Sequence, residues 1–185
     1  MNRKGISKIL FLCAISLQIC FVLSIPLIKE IRIRRGRTIR VKTVPADPRS
    51  IFRGDYIVLN YEFSHLDLNR VKHDESYFYE GQRVFVKLTK VGDNWEATQV
   101  STKPFKEIGP NEVMLVGSIN RSEWSSENSI NLTYGIESYF VPEGKGKYIE
   151  EKISEKRVTV ELSIDKKGFA SVRKIFIEGK EVRFR

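Results

Sequence analysis

The sequence has little cysteine and histidine, which are common ligands of transition metals. It contains two cysteines, Cys13 and Cys20, and two histidines, His65 and His73. Residues 43–185 contain no cysteine, so this part of the chain forms no disulfide, no thiolate zinc site and no cysteine-nucleophile site. The histidines are eight residues apart, a spacing that fits neither a zinc finger nor an H-E-x-x-H helix. We therefore expect no metal and no cofactor.

Most of the chain also lacks an excess of charge. The formal net charge is +9, but residues 1–42 hold ten Lys/Arg and one Asp/Glu, whereas residues 43–185 hold 22 of each. Because nucleic-acid binding needs a basic surface that neutralises phosphates, the neutral part of the chain is not expected to bind nucleic acid. The positive excess instead flanks a single N-terminal segment.

That segment is a run of 20 residues without charge, Ile9 to Ile28. Its length matches a helix that spans a bilayer. A cleaved signal peptide has a shorter apolar core and small residues before its cleavage site, and a buried core helix has a polar face; both alternatives fit less well. We predict an uncleaved transmembrane anchor at 9–28 that contacts the lipid bilayer, with a basic flank at 1–8 and a basic linker at 29–37.

The orientation of this anchor follows less directly from its flanks. Three basic residues precede the run and seven lie in residues 29–43, which by the positive-inside rule would keep the following domain in the cytoplasm. The rule loses force for long translocated domains. In addition, Ile31-Arg32-Ile33-Arg34 alternates as a strand does, which favours placing these residues in the folded domain. We therefore expect an extracytoplasmic soluble domain at residues 38–185.

Alternation of apolar and polar residues dominates this soluble region. A period of two is typical of half-buried strands, so the pattern predicts a mainly β domain with an antiparallel sheet, either barrel-like or a sandwich. One short helix is predicted at Lys147–Lys156, where Ile149 and Ile153 share a face. Ser64–Gly81 is predicted to be a long loop with at most one helical turn. The predicted strands are Thr38–Val44, Tyr56–Phe63, Val84–Leu88, Trp95–Val100, Glu112–Ile119, Ile130–Ile136, Tyr139–Val141, Arg157–Ile164, Phe169–Ile177 and Glu181–Arg185.

The stretch from Thr43 to Glu62 carries the most distinctive local chemistry. Pro45 and Pro48 restrain the backbone, and Gly54 permits a positive φ. The residues then enter a strand, so the stretch predicts a strand, a rigid turn and a second strand.

Two blocks of the sequence resemble a known family. Gly54-Asp55-Tyr56-x-x-Leu59-x-Tyr61 resembles the signature of the GDYXXLXY family of membrane-anchored bacterial proteins, and residues 134–144 resemble its second recurrent block. The resemblance covers most of residues 38–178. It implies an N-terminal anchor in the cytoplasmic membrane and one soluble domain, with no established activity. It also implies that the protein functions beside polytopic membrane proteins.

The candidate binding residues come from these two blocks. The arginine and the carboxylates could pair with one another or line a polar groove, whereas the structural interpretation makes the motif a turn whose apolar residues pack. Tyr56 and Tyr61 are an odd number of residues apart, so in a regular strand they face opposite sides. The candidate residues are Arg53, Gly54, Asp55, Tyr56, Leu59, Tyr61, Glu137 and Glu143.

No catalytic signature accompanies these residues. Type I signal peptidases also carry a Gly-Asp step before a strand, but the position of their nucleophile falls here on Ala46, which has no hydroxyl to activate. Three hypotheses remain. The first is a non-enzymatic, membrane-tethered domain that binds another membrane or envelope protein. The second is a small-ligand or glycan-binding module with its groove around Asp55, Tyr56 and Glu137. The third, a hydrolase, has the least support.

Overall fold

The computed structural model describes residues 3–45, 56–75, 77–120 and 128–183. The chain divides into two compact units, residues 1–35 and residues 36–185. The first is a helix and the second is a β domain.

Helix α1 spans Arg3–Arg35, with Pro26 inside it. It continues through most of the predicted linker, so the strand-like interpretation of Ile31–Arg34 was wrong. A four-residue alternation carries little weight against helix-favouring Arg and Glu residues, and Glu30 and Arg34 form a 2.7 Å ion pair one helical turn apart. None of the described helices is long and apolar enough to cross a membrane. The membrane span at residues 9–28 stays a prediction.

The β domain forms from short strands and one further helix. The elements are β1 Arg37–Val44, β2 Tyr56–Val58, β3 Asn60–Tyr61, a 3-10 turn Glu62–Ser64, β4 His65–Asp67, β5 Lys72–His73, β6 Arg83–Val91, β7 Asn94–Ser101, β8 Glu112–Asn120, β9 Ser129–Thr133, β10 Ser138–Phe140, α2 Gly146–Ser154, β11 Val158–Ile164, β12 Ala170–Ile177 and β13 Lys180–Glu181. The described residues form three sheets, with the strand orders β13-β12-β11-β1-β3, β10-β2 and β4-β9-β8-β6-β7-β5. Their pairings are antiparallel except that of β5 with β7.

One hydrophobic core lies between these sheets. Val41 and Leu162 enter it from the five-stranded sheet, and Val86 and Leu115 enter it from the six-stranded sheet. The alternation in the sequence therefore marked the inward face correctly, and the prediction of a mainly β, antiparallel domain is confirmed.

The six-stranded sheet is curled rather than flat. Its two outer strands, β4 and β5, are joined by residues 68–71 alone. Five Cα steps span at most about 18 Å, whereas five spacings across a flat sheet amount to about 24 Å. The two edges of the sheet must therefore approach each other, which gives the sheet a half-barrel shape.

Two segments differ from the prediction because their pairing is not local. Tyr56–Phe63 was predicted as one strand, but β2 pairs with β10 whereas β3 pairs with β1, and the change of partner interrupts the strand at Leu59. Ser64–Gly81 was predicted as a loop but contains β4 and β5, which have only three and two residues. Strands this short show no measurable alternation.

The predicted helix and hairpin are present with small changes of boundary. Helix α2 buries Ile149 and Ile153, as predicted, and begins at Gly146. Asp165–Gly168 forms the turn between β11 and β12, where the Asp165 carboxylate accepts hydrogen bonds from the backbone N–H groups of residues 167 and 169. The last strand was predicted at Glu181–Arg185, but β13 spans Lys180–Glu181, residues 182–183 are not in a strand, and residues 184–185 lie outside the described residues.

Candidate functional site

The two blocks of the sequence pair directly with each other in the structure. Strand β2 pairs with β10, with Tyr56 opposite Phe140 and Ile57 opposite Tyr139. Where β2 ends, the N–H of Leu59 donates to the carbonyl of Glu137 at 2.8 Å. We call Tyr56–Tyr61 and Tyr134–Phe140 together the paired blocks.

Leu59 and Tyr61 belong to the interior of the domain. Leu59 is fully buried and Tyr61 is 1% exposed. The Tyr61 hydroxyl donates to the carbonyl of Ile136 at 2.9 Å, and its ring stacks on Phe63 with centroids 5.1 Å apart. These two motif residues therefore fasten the first block to the second.

Tyr134 makes the reciprocal bond from the second block. Its buried hydroxyl donates to the carbonyl of Phe63 at 2.6 Å. Burial raises the pKa of Tyr134 and of Tyr61 well above the usual value for tyrosine, and the negative charge of Glu137 raises both further. Both hydroxyls therefore stay protonated and act as donors. Tyr134 was missed as a site residue, because its partner lies 71 residues away in the sequence.

Glu137 closes the turn that carries these contacts. Its carboxylate accepts a hydrogen bond from the N–H of Tyr134 at 2.5 Å. Gly135 lies within this turn with φ of +77°, a conformation that glycine adopts without strain. The Glu137 carboxylate is thus used in shaping the second block. Glu143 lies beyond β10 and is exposed.

Tyr56 faces outward, on the side opposite to Tyr61, as their odd spacing predicts. It is 55% exposed and meets Phe140, which is 59% exposed, in an edge-to-face contact with ring centroids 5.5 Å apart. We call Tyr56 and Phe140 the exposed aromatic pair. The other predicted site residues, Arg53, Gly54 and Asp55, lie outside the described residues.

A separate groove lies at the half-barrel's opening, and it contains none of the predicted site residues. Its volume is about 730 Å³, within the range of roughly 300–1,000 Å³ that is typical of ligand sites. Its apolar side chains come from both walls, and its polar side chains carry both signs of charge. The lining residues are Glu62, Phe63, His65, Leu66, Asp67, Arg70, Val71, Lys72, Trp95, Glu96, Ala97 and Thr98.

Several charged and polar groups of this groove are engaged with neighbours. Asp67 lies 3.5 Å from the guanidinium of Arg70 and accepts hydrogen bonds from Asn69 at 3.0 Å. His65 Nδ1 lies 2.7 Å from the side-chain oxygen of Asn131. Across the parts of the chain that the structure describes, no group of three His, Cys, Asp or Glu side chains is placed to hold a metal ion.

Trp95 is the largest side chain in the groove. It packs partly against the core, and the Arg37 guanidinium lies 5.9 Å from its ring centroid. The sequence offered little to identify the groove, because its two walls are about 30 residues apart and one of them reads as a polar loop.

Comparison with known proteins agrees with the resemblance seen in the two blocks. The GDYXXLXY protein family matches residues 18–175, about 85% of the 185 residues. No curated protein and no solved structure matches the chain. Because the match covers well over half of the chain, the protein belongs to the GDYXXLXY family.

Proposed function

We propose that this protein is a membrane-anchored, non-enzymatic β domain that binds another protein of the membrane or cell envelope. The exposed aromatic pair carries the proposal. Tyr and Phe side chains are typical anchors of protein interfaces, because they bury a large area with few rotatable bonds.

The use of the other polar groups in the paired blocks supports a binding role over catalysis. The hydroxyl of Tyr61 and the carboxylate of Glu137 bond the backbone of the paired blocks, and the hydroxyl of Tyr134 bonds the carbonyl of Phe63, two residues beyond the first block. A catalytic acid, base or nucleophile must reach a substrate. These three groups are instead engaged in holding β10 beside β2.

The proposed anchor is supported by the surface of α1. The uncharged run has 20 residues, from Ile9 to Ile28, and the structure describes the side chains of this run from Phe11 to Leu27. Exposing apolar surface to water costs about 25 cal/mol of free energy per Å². A bilayer would remove this cost, because its hydrocarbon core surrounds the helix with apolar groups. The exposed large apolar side chains of α1 are Phe11, Leu12, Ile15, Leu17, Ile19, Phe21, Val22, Leu23, Ile25 and Leu27.

The second hypothesis, a small-ligand or glycan groove around Asp55, Tyr56 and Glu137, has weaker support. The Glu137 carboxylate is bonded to Tyr134, and Tyr56 is part of an exposed pair outside the 730 Å³ groove. We therefore favour a protein partner at this surface.

Crosslinking of the intact, membrane-embedded protein tests this proposal. Tyr56→Ala and Phe140→Ala are expected to lose a crosslink to the partner that the wild type makes. Tyr79→Ala is the matched control, because Tyr79 is 64% exposed and also makes an edge-to-face contact, with Tyr77. If both variants of the pair fold normally and keep every crosslink, the exposed aromatic pair is not the binding surface.

The orientation is tested separately. We propose that the β domain lies outside the cytoplasm, on the outer side of a bacterial cytoplasmic membrane. A C-terminal reporter that is active only outside the cytoplasm should then be active, and an inactive but fully expressed reporter would place the domain inside.

A further inference from the structure

Strand β7 has one edge that is largely open. On one side it pairs with β6 from Asn94 to Ser101. On the other side only Gln99 and Val100 pair with a strand, the two-residue β5. Among the described residues, Trp95–Thr98 therefore have no strand beside them on that side, and these are the β7 residues that line the groove.

The alternation of hydrogen-bonded and non-hydrogen-bonded residue pairs along β6 and β7 shows which backbone groups of β7 point toward this open edge. Trp95 lies opposite Lys90 of β6, and the N–H of Lys90 donates to the carbonyl of Asn111, away from β7. Residues of an antiparallel pair alternate between bonding across the pair and pointing outward. Trp95 and Ala97 therefore direct their N–H and C=O groups away from β6, toward the groove.

The opposite wall of the groove is a second open edge. Among the residues that the structure describes, strand β4 is the outermost strand of its sheet and pairs with β9 alone. The N–H of Leu68 donates to the carbonyl of Asn128 at 2.8 Å, so by the same alternation the backbone groups of His65 and Asp67 point away from β9. The carbonyl of Asp67 accepts a bond from the N–H of Arg70. Because β4 and β7 line the same groove, their open edges face each other.

The side chains of the groove suit an extended peptide. Leu66, Val71 and Trp95 give it an apolar floor, while Lys72 and Glu96 provide charges of both signs. A peptide strand whose side chains alternate would place apolar ones on the floor and polar ones toward water. A sugar could contact the same side chains, but its hydroxyls do not repeat with the spacing of backbone donors and acceptors along a strand.

We propose that this groove binds an extended, alternating apolar–polar segment of a partner protein by β-strand addition to the open edge of β7. The site is separate from the exposed aromatic pair and does not depend on it. The backbone groups of Trp95 and Ala97 supply hydrogen bonds, and the apolar floor selects the side chains.

A defined peptide probe tests the proposal. A displayed library of random linear ten-residue peptides is selected against the full chain in lipid nanodiscs, and an enriched peptide is synthesised. Ala97→Pro removes an N–H that faces the groove and no hydrogen bond to β6, and an edge strand tolerates the fixed φ of a proline. We expect this variant to bind the peptide about tenfold more weakly, since roughly one hydrogen bond and its register are lost. The matched control Tyr56→Ala should bind the peptide as the wild type does.

Hydrogen exchange gives a second measurement that needs no variant. The bound peptide should protect the amides of Trp95 and Ala97 in the wild-type chain. The proposal is overturned if the library yields no peptide enriched over empty nanodiscs, if Ala97→Pro binds an enriched peptide as tightly as the wild type, or if protection appears elsewhere and not on these two amides. The crosslinks that depend on Tyr56 are a separate readout, so failure of the aromatic pair and failure of the groove are distinguishable.

Discussion

Replacing Tyr61 by phenylalanine tests whether the two blocks are fastened together by a hydroxyl. The change removes one oxygen, keeps the ring that stacks on Phe63, and leaves the carbonyl of Ile136 without its 2.9 Å donor. Because Tyr61 is 1% exposed, water does not readily replace the lost donor. An unsatisfied buried group of this kind costs about 1–3 kcal/mol.

The matched variant is Tyr56→Phe, the same chemical change at the other tyrosine of the motif. Tyr56 is 55% exposed, so the loss of its hydroxyl is expected to change the free energy of unfolding by less than about 0.5 kcal/mol. For a domain of about 150 residues, each kcal/mol corresponds to a Tm change of roughly 2–4 °C. A destabilisation of about 2 kcal/mol at Tyr61 therefore predicts a Tm lower by about 4–8 °C.

Thermal unfolding of the full chain in detergent, followed by near-UV circular dichroism, measures both variants. Tyr61→Phe should melt several degrees below the wild type, whereas Tyr56→Phe should melt at the same temperature as the wild type. Equal melting temperatures for all three proteins would refute the reasoning, because the buried hydroxyl would then contribute nothing to the pairing of the blocks.

Two further predictions concern the turns of the domain. Gly168 has φ of +91° and a Cβ there would lie 3.0 Å from Val116 Cγ2, whereas at Gly135, with φ of +77°, a Cβ would meet nothing within 4 Å. In urea titrations, Gly168→Ala should therefore lower the free energy of unfolding by about 1–3 kcal/mol, and by more than Gly135→Ala does. An equal loss in the two variants would show that the destabilisation comes from backbone strain and that the contact with Val116 adds nothing. Burial of the Asp74 carboxyl acts to raise its pKa, but hydrogen bonds from Ser101 and from Thr102 outweigh it and lower the pKa. The stabilisation from a lowered pKa is present above the pKa of the unfolded chain, about 3.9, and is lost as the pH falls through the folded value. Asp74→Asn should thus be less stable than the wild type at pH 7 and should lose less stability between pH 5 and pH 3; an unchanged acid dependence would contradict this.

Much of the fold was accessible from the sequence because most strands bury one face. In β6, Val84, Val86 and Leu88 alternate with polar or half-buried residues and all three are fully buried. A period of two is a local signal, so it predicts strand faces without knowledge of the partner. It fails at Leu59, where the segment changes from one sheet to another, because the choice of partner is set by residues far away in the chain.

The candidate site was predicted in part for the same reason. Parity alone placed Tyr56 and Tyr61 on opposite faces, and the structure agrees, with Tyr61 buried and Tyr56 exposed. The pairing of Tyr134 with the carbonyl of Phe63 depends on a contact between segments 71 residues apart, which no local pattern encodes. The groove escaped prediction because it arises from the curl of a sheet whose outermost strands have two and three residues.

The buried and exposed halves of the motif are coupled by geometry. The bond from Tyr61 to Ile136 and the bond from the N–H of Leu59 to Glu137 fix the second block along the first. Because β10 follows within a few residues, these bonds also set its register against β2 and so place Phe140 opposite Tyr56. Loss of a hydrogen bond inside the domain should therefore change the position of the exposed aromatic pair at its surface. Tyr61→Phe, although it alters no exposed atom, is expected to weaken any crosslink that depends on the exposed aromatic pair, at temperatures where the domain is still folded. If the crosslink is unchanged while the Tm falls, the register of β10 is held by the backbone ladder alone and the hydroxyl contributes only to stability.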